Sequence, residues 1–101
     1  MMVEFMDYQE TEKTQAWIGD AVLALHVRLR ILREEGRVDG AKATRMSSNQ
    51  FLSSVGQPDA VEAHIGRVYQ QEGLEAAFRW IDRKLMPMFA RQELTRGKMG
   101  G

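Results

Sequence analysis

The chain has no cysteine, only two prolines and no long apolar run among its 101 residues. The absence of cysteine excludes disulfide bridges, thiol nucleophiles and cysteine-ligated zinc or iron–sulfur sites. The most apolar stretch, residues 17–32, is interrupted by one aspartate, one histidine and two arginines, whereas a membrane-spanning helix needs about 20 apolar residues. Residues 1–10 also lack the basic and then apolar pattern of a secretory leader. These absences predict a cytoplasmic protein that does not associate with a membrane.

The composition that remains is typical of one folded domain. Hydrophobic residues make up 44% of the chain and charged residues 28%, a balance that allows a packed core. β-Branched residues are few, and apolar residues recur at helical spacing, which favours an all-α fold. We therefore predict a small all-α protein with a single domain over residues 1–95 and a frayed tail over residues 96–101.

Capping residues and apolar spacing divide the domain into four to five helices around a buried central helix. The first helix is predicted to start near Asp7 and to end at Glu35, because Gly36 follows as a stop signal. Its residues 17–32 carry apolar side chains on more than one side, so we expect this helix to lie at the centre of the fold. Three further helices are predicted from Asp39 to about Ser54, from Pro58 to Gly73, and from about Leu74 with a break at Pro87.

Asp20 lies in an otherwise apolar part of the first helix. Burial of a lone carboxylate costs several kcal/mol unless a partner is present, so we expect Asp20 to have one, and a solvent-facing or arginine-bonded aspartate is the alternative interpretation. Gly19 weakens the helix by roughly 1 kcal/mol relative to alanine, a cost usually tolerated where another backbone comes close. The pair Gly19 and Asp20 thus predicts a close helix crossing beside a functional carboxylate.

A second pair of carboxylates, Asp59 and Glu62, lies at the start of the third predicted helix. Side chains three residues apart share a helix face, roughly 5–6 Å apart at Cβ, so these two could share a cation. The helix dipole also favours Asp59 in a first turn without any metal. Together with Asp20, the pair would supply three hard oxygen ligands suited to Mg²⁺ or Mn²⁺, which could activate a water molecule for phosphodiester hydrolysis.

Two stretches of the chain resemble the motifs of the ribonuclease III catalytic domain. The sequence WIGDAVL at residues 17–23 resembles the signature of its central helix, and DAVEAHIGRVY at residues 59–69 resembles its second motif. The resemblance implies that Asp20 and Glu62 are the catalytic metal-binding pair and that Asp59 supports them. It also implies Mg²⁺-dependent hydrolysis of double-stranded RNA by a two-fold homodimer that uses no small-molecule cofactor.

The chain departs from the family pattern in two places. Lys13 and Ala16 stand where larger family members have glutamates, and the stretch between Asp20 and Glu62 is shorter than in the family generally. Mini-ribonuclease III proteins also lack that acidic pair and the separate double-stranded-RNA-binding domain, so the chain is most similar to this compact branch. Lys13 could contact a phosphate, or it could oppose metal binding.

Other polar residues suggest weaker hypotheses. Arg37, Lys42 and Arg45 could contact RNA phosphates, which would make binding salt-dependent without base specificity; a solvated basic face is the alternative. His26 and His64 have no ligand-like spacing and are interpreted as structural. The spacing of the aromatic residues favours core or dimer packing over base stacking; these are Trp17, Phe51, Tyr69, Phe78 and Trp80.

Three hypotheses for the function follow. The first is a metal-dependent endoribonuclease that cleaves double-stranded RNA as a stand-alone homodimeric domain. The second is a catalytically degenerate ribonuclease III-like subunit that keeps the fold and serves in RNA binding or assembly. The third is a helical interaction domain with a coincidental signature, which would bind neither metal nor RNA.

Overall fold

A computed structural model describes the backbone of residues 11–100 and the side chains of residues 11–96. Within this part of the chain the protein is all-α, as predicted, with six helices and no strand. The helices are α1 (Glu12–Glu35), α2 (Gly40–Ser47), α3 (Asn49–Leu52), α4 (Pro58–Glu72), α5 (Leu74–Lys84) and α6 (Met86–Gly100). No helix in the described residues is long and apolar enough to cross a membrane.

Thr11 marks the start of the first helix among the described residues. Thr11 caps α1: its hydroxyl accepts a hydrogen bond from the Thr14 N–H, while the Thr14 hydroxyl accepts one from the Thr11 N–H. This reciprocal cap fixes the start of the helix at Glu12, whereas the predicted start near Asp7 lies outside the described residues. The end of α1 is confirmed, because Gly36 adopts a left-handed φ of 71° and its N–H donates to the Leu32 carbonyl.

The predicted second helix is divided in two at Ser48. This residue has extended backbone angles, and its hydroxyl accepts a hydrogen bond from the Phe51 N–H, so it ends α2 and caps α3. Serine competes with the helical backbone in this way because its short side chain reaches nearby N–H groups. The break turns α3 inward, where Phe51 and Leu52 are buried in the core.

The last two helices meet at Leu85 rather than at Pro87. Proline has no backbone N–H and is tolerated in a first helical turn, and Pro87 lies in the first turn of α6. α6 then continues to Gly100, through most of the segment expected to fray. A glycine lowers helix stability by about 1 kcal/mol but keeps its backbone hydrogen bond, so Gly97 does not end the helix.

The central position predicted for the first helix is confirmed, although only part of its surface is buried. α1 packs against α2, α4 and α5, and its core side contributes Leu23, Val27 and Ile31. The remaining side carries leucines that are partly exposed to solvent. They are Leu25 and Leu29, each 42% exposed, and Leu32, 46% exposed.

His26 links α1 to α5 inside the core. Its Nε2 lies 2.8 Å from Oδ1 of Asp82, its ring meets the edge of Phe78, and its Nδ1 has no hydrogen-bond partner among the described residues. Burial lowers the pKa of His26 despite the neighbouring carboxylate of Asp82, and the charges of Arg30 and Arg33 add to that lowering. The residue therefore has the structural role that its lone position in the sequence suggested.

Two glycines allow the backbones of α1 and α4 to touch. A Cβ atom added at Gly19 would lie 1.7 Å from the carbonyl oxygen of Glu62, and one added at Gly66 would lie 2.0 Å from the carbonyl oxygen of Gln15. No side chain fits at either position, because these neighbours are backbone atoms that cannot rotate away. The close helix crossing predicted at Gly19 is therefore confirmed.

We predict that Gly19→Ala or Gly66→Ala lowers the free energy of unfolding by about 3 kcal/mol or more, since each methyl group forces the two helices apart. Gly40→Ala is the matched control, because a Cβ atom there meets nothing within 4 Å, and its effect should stay within about 0.5 kcal/mol. Urea unfolding followed by circular dichroism measures all three variants. If Gly19→Ala were as stable as the wild type, the close contact between α1 and α4 at Gly19 would be contradicted.

Candidate active site

The two acidic motifs meet in an open groove on the surface of α1 and α4. The groove has a volume of about 640 Å³. Eight residues from α1, α3 and α4 line it, and they are Lys13, Thr14, Ala16, Trp17, Asp20, Asn49, Asp59 and Glu62. All three predicted carboxylates are therefore in one place, although Asp20 and Glu62 are far apart in the sequence.

The glycine crossing brings these carboxylates together. Gly19 lies directly against the backbone of Glu62, so Asp20, the next residue along α1, lies beside the Glu62 side chain. Asp59 is one turn earlier on α4 and shares its face. Asp59 also lies in the first turn of α4, where the N-terminal end of the helix favours an acidic side chain.

Glu62, and not Asp20, is the buried carboxyl of the site. Glu62 is only 9% exposed, whereas Asp20 and Asp59 lie on the exposed side of the groove. Burial, then the hydrogen bonding and negative charge of Asp20, and finally the charge of Asp59 together raise the pKa of Glu62 to about 7. A carboxyl with such a pKa is partly protonated at neutral pH, so a metal cation would have to replace that proton.

The carboxylate oxygens of the groove are ligands of the kind that suits a hard cation with part of its water shell retained. Among residues 11–96, no group of three or more histidine, aspartate or glutamate side chains is arranged to hold a metal ion. Mg²⁺ is usually bound by only one or two carboxylates, with water and substrate phosphates as its other ligands. Asp20 and Glu62 fit that pattern, and Asp59 lines the same groove.

Two features of the groove were not predicted from the sequence. Asn49 lines it because the backbone break at Ser48 starts α3 at this point; the weakly helical Ser47-Ser48-Asn49 run was the only local signal. Trp17, expected in the core or in a dimer interface, is 79% exposed at the same groove. An indole so exposed is available for contact with another molecule.

The predicted RNA-binding residues lie outside the groove. Lys42 forms an ion pair with Glu35, and Arg45 forms one with Glu93 at 3.2 Å, so both would have to exchange a partner to bind a phosphate. Arg37 is exposed. The structure does not bring these three residues to the carboxylates, and their contact with RNA stays a prediction.

Comparison of the chain with protein-family models, with curated proteins and with solved structures finds no match. The likeness to ribonuclease III therefore rests on the two short motifs around Asp20 and Glu62. Those motifs are the stretches that meet at the groove, so the chemistry of the groove carries the functional interpretation.

We predict that Glu62→Gln stabilises the protein at pH 8 by about 1–2 kcal/mol and has little effect at pH 5. The pKa of Glu62 rises on folding from 4.5 to about 7, so its contribution to stability is present below pH 4.5 and is lost as the pH rises through 7. Water in the open groove screens the charge of Glu62. The change in stability should therefore be smaller than the free energy that corresponds to the whole pKa shift. Urea unfolding at both pH values measures it.

Glu75→Gln is the control for this experiment, because it removes an exposed carboxylate on α5. Its effect on stability should be small and nearly the same at pH 5 and pH 8. A stability difference between wild type and Glu62→Gln that fails to grow with pH would show that Glu62 is not protonated in the folded protein.

Proposed function

We propose that this protein is a metal-dependent endonuclease that hydrolyses phosphodiester bonds in double-stranded RNA. It would be a compact, stand-alone domain similar to mini-ribonuclease III. The observation that carries the proposal is that Asp20, Asp59 and Glu62 line one groove, because the contact of Gly19 with the Glu62 backbone brings the two family-like motifs together. Two carboxyl groups held together with no cationic partner among the lining residues other than Lys13 favour the binding of a cation.

Each acidic residue has a distinct role in the proposed site. Asp20 and Glu62 would bind the metal directly, and Asp59 would assist it directly or through a bound water. A bound Mg²⁺ or Mn²⁺ ion would supply an activated water and neutralise charge on the leaving oxygen. Because the cation would have to displace a proton from Glu62, its affinity would fall as the pH drops below 7.

The shape of the groove favours a polymeric substrate. It is an open depression along two helices rather than an enclosed pocket, so a nucleic-acid strand can enter from the side and be cut internally. Duplex RNA is recognised by its shape, its phosphates and its 2′-hydroxyl groups. We therefore expect little sequence preference.

A second candidate function is an RNA-binding or assembly subunit without catalytic activity. Two observations favour it. Lys13 and Ala16 occupy positions in the groove lining that are acidic in larger family members, and no group of three or more acidic or histidine side chains among the described residues is arranged to hold a metal ion. Such a subunit would bind duplex RNA and leave it intact.

We predict that the protein cuts a labelled duplex RNA in Mg²⁺ and is inactive in EDTA. Asp20→Asn and Glu62→Gln should each lower the rate by at least about 100-fold, because each removes a metal-binding carboxylate. Glu75→Gln serves as the control and should cut at the wild-type rate. If the duplexes stay intact, or if cleavage persists in both Asp20→Asn and Glu62→Gln, the nuclease proposal is wrong. Binding of duplex RNA without cleavage would support the hypothesis of a catalytically inactive subunit.

A homodimer is the second part of the proposal. Leu25, Leu29 and Leu32 recur at a spacing of four and three residues, so they form an exposed apolar stripe along α1. The exposed Trp17 belongs to the same helix. Burial of apolar surface contributes about 25 cal/mol per Å², and a two-fold partner that packs on α1 would cover the stripe.

We predict that the double variant Leu25→Glu and Leu29→Glu sediments as a folded monomer under conditions where the wild type sediments as a dimer. Both leucines are partly exposed in the isolated chain, so helical content by circular dichroism should be preserved. Leu94→Glu, which alters a 65% exposed leucine on α6, is the control and should remain dimeric. A monomeric wild type at assay concentration would refute the dimer.

A further inference from the structure

Lys13 is the one cation among the residues described along the groove. It lies in the first turn of α1, seven residues before Asp20, which places the two side chains on the same helix face about two turns apart. Its side chain is exposed. Within the described residues, Lys13 takes part in no ion pair or hydrogen bond through its side chain.

Lys13 does not neutralise the carboxylates that share its groove. No ion pair joins Lys13 to any of the three carboxylates that line the groove. The ammonium group is therefore free to meet an anion from outside the protein.

The charge balance of the groove is consistent with a phosphate as that anion. With a divalent cation bound, three ionised carboxylates would leave a single negative charge, which would repel a phosphodiester. The ammonium of Lys13 would cancel this charge, so the groove would be neutral and could accept a phosphate. Lysine suits such a contact because its compact charge sits on a flexible stem and needs no fixed geometry.

We propose that Lys13 binds a non-bridging phosphate oxygen of the RNA strand in the groove and so positions that strand against the metal-binding carboxylates. This inference rests on the proposed function and specifies how the same site holds its substrate. Lys13 thus contributes to substrate affinity and not to metal affinity.

The test measures binding separately from cleavage. A 20-base-pair fluorescent duplex RNA is titrated with protein in Ca²⁺, at several salt concentrations, for wild type, Lys13→Gln, Lys13→Arg and the control Lys84→Gln. Lys84 is an exposed lysine at the end of α5 and does not line the groove. Calorimetric titration with Mn²⁺ measures metal binding by the same four proteins.

Lys13→Gln should weaken RNA binding about tenfold at low salt. It should also reduce the slope of log affinity against log salt concentration by about one, because one fewer counterion is released on binding. Lys13→Arg should bind within about threefold of wild type, and Lys84→Gln should bind as the wild type does. Mn²⁺ affinity of Lys13→Gln should be unchanged or slightly higher, because a nearby positive charge has been removed. Together these results would establish the phosphate contact.

Two results would overturn the inference. RNA binding by Lys13→Gln that equals that of Lys84→Gln would show that Lys13 does not touch the strand, and loss of Mn²⁺ binding in Lys13→Gln would show that it acts on the metal site or on folding. The cleavage assay in Mg²⁺ and EDTA tests the nuclease proposal separately. A protein that cuts RNA regardless of Lys13 disproves only this inference, whereas a wild type that neither binds nor cuts duplex RNA disproves both.

Discussion

The contact between the backbones of α1 and α4 determines where the carboxylates of the groove lie. Gly19 against Glu62 and Gly66 against Gln15 bring two helix axes closer than any pair of residues with side chains would allow. The cost of glycine in a helix interior is about 1 kcal/mol at each position. In return, a carboxylate on one helix reaches a carboxyl on the other, and the acidic pair forms between segments distant in sequence.

The crossing also explains why the site combines burial with access. Glu62 lies at the helix interface and is largely shielded from water, while Asp20 and Asp59 lie at the edge of the same interface and face solvent. A carboxyl in such a position cannot ionise freely unless a cation arrives. Protonation and the packing of α1 on α4 are therefore linked through one side chain, and the proposed metal would bind at that same side chain.

Much of this arrangement could be predicted from the sequence, because the signals were local and consistent. The all-α class followed from apolar spacing, the end of α1 from Gly36, and the close approach at Gly19 from a glycine inside an apolar helix. The remaining details depend on tertiary contacts. The break at Ser48 reflects competition between a serine hydroxyl and the helical backbone, and the join at Leu85 reflects how α5 and α6 pack, so neither is encoded in periodicity alone.

Sequence patterns were least informative about which side of α1 faces solvent. Trp17 and the leucine stripe have the spacing of core residues, yet the number of helices that pack around α1 is too small to cover its whole surface. Asn49 was also not predicted, because it lines the groove only as a result of the backbone break at Ser48. Conversely, the carboxylate that looked anomalous by burial, Asp20, is exposed, and the buried one is its partner across the crossing.

The buried imidazole of His26 gives the protein a second proton equilibrium, with the opposite direction to that of Glu62. Unfolding lets Glu62 release a proton, since its folded pKa is raised, and lets His26 take one up, since its folded pKa is lowered. As the pH falls, protonation of Glu62 therefore favours the folded state, whereas protonation of His26 favours the unfolded state. The two buried groups thus act against each other on the stability of the fold.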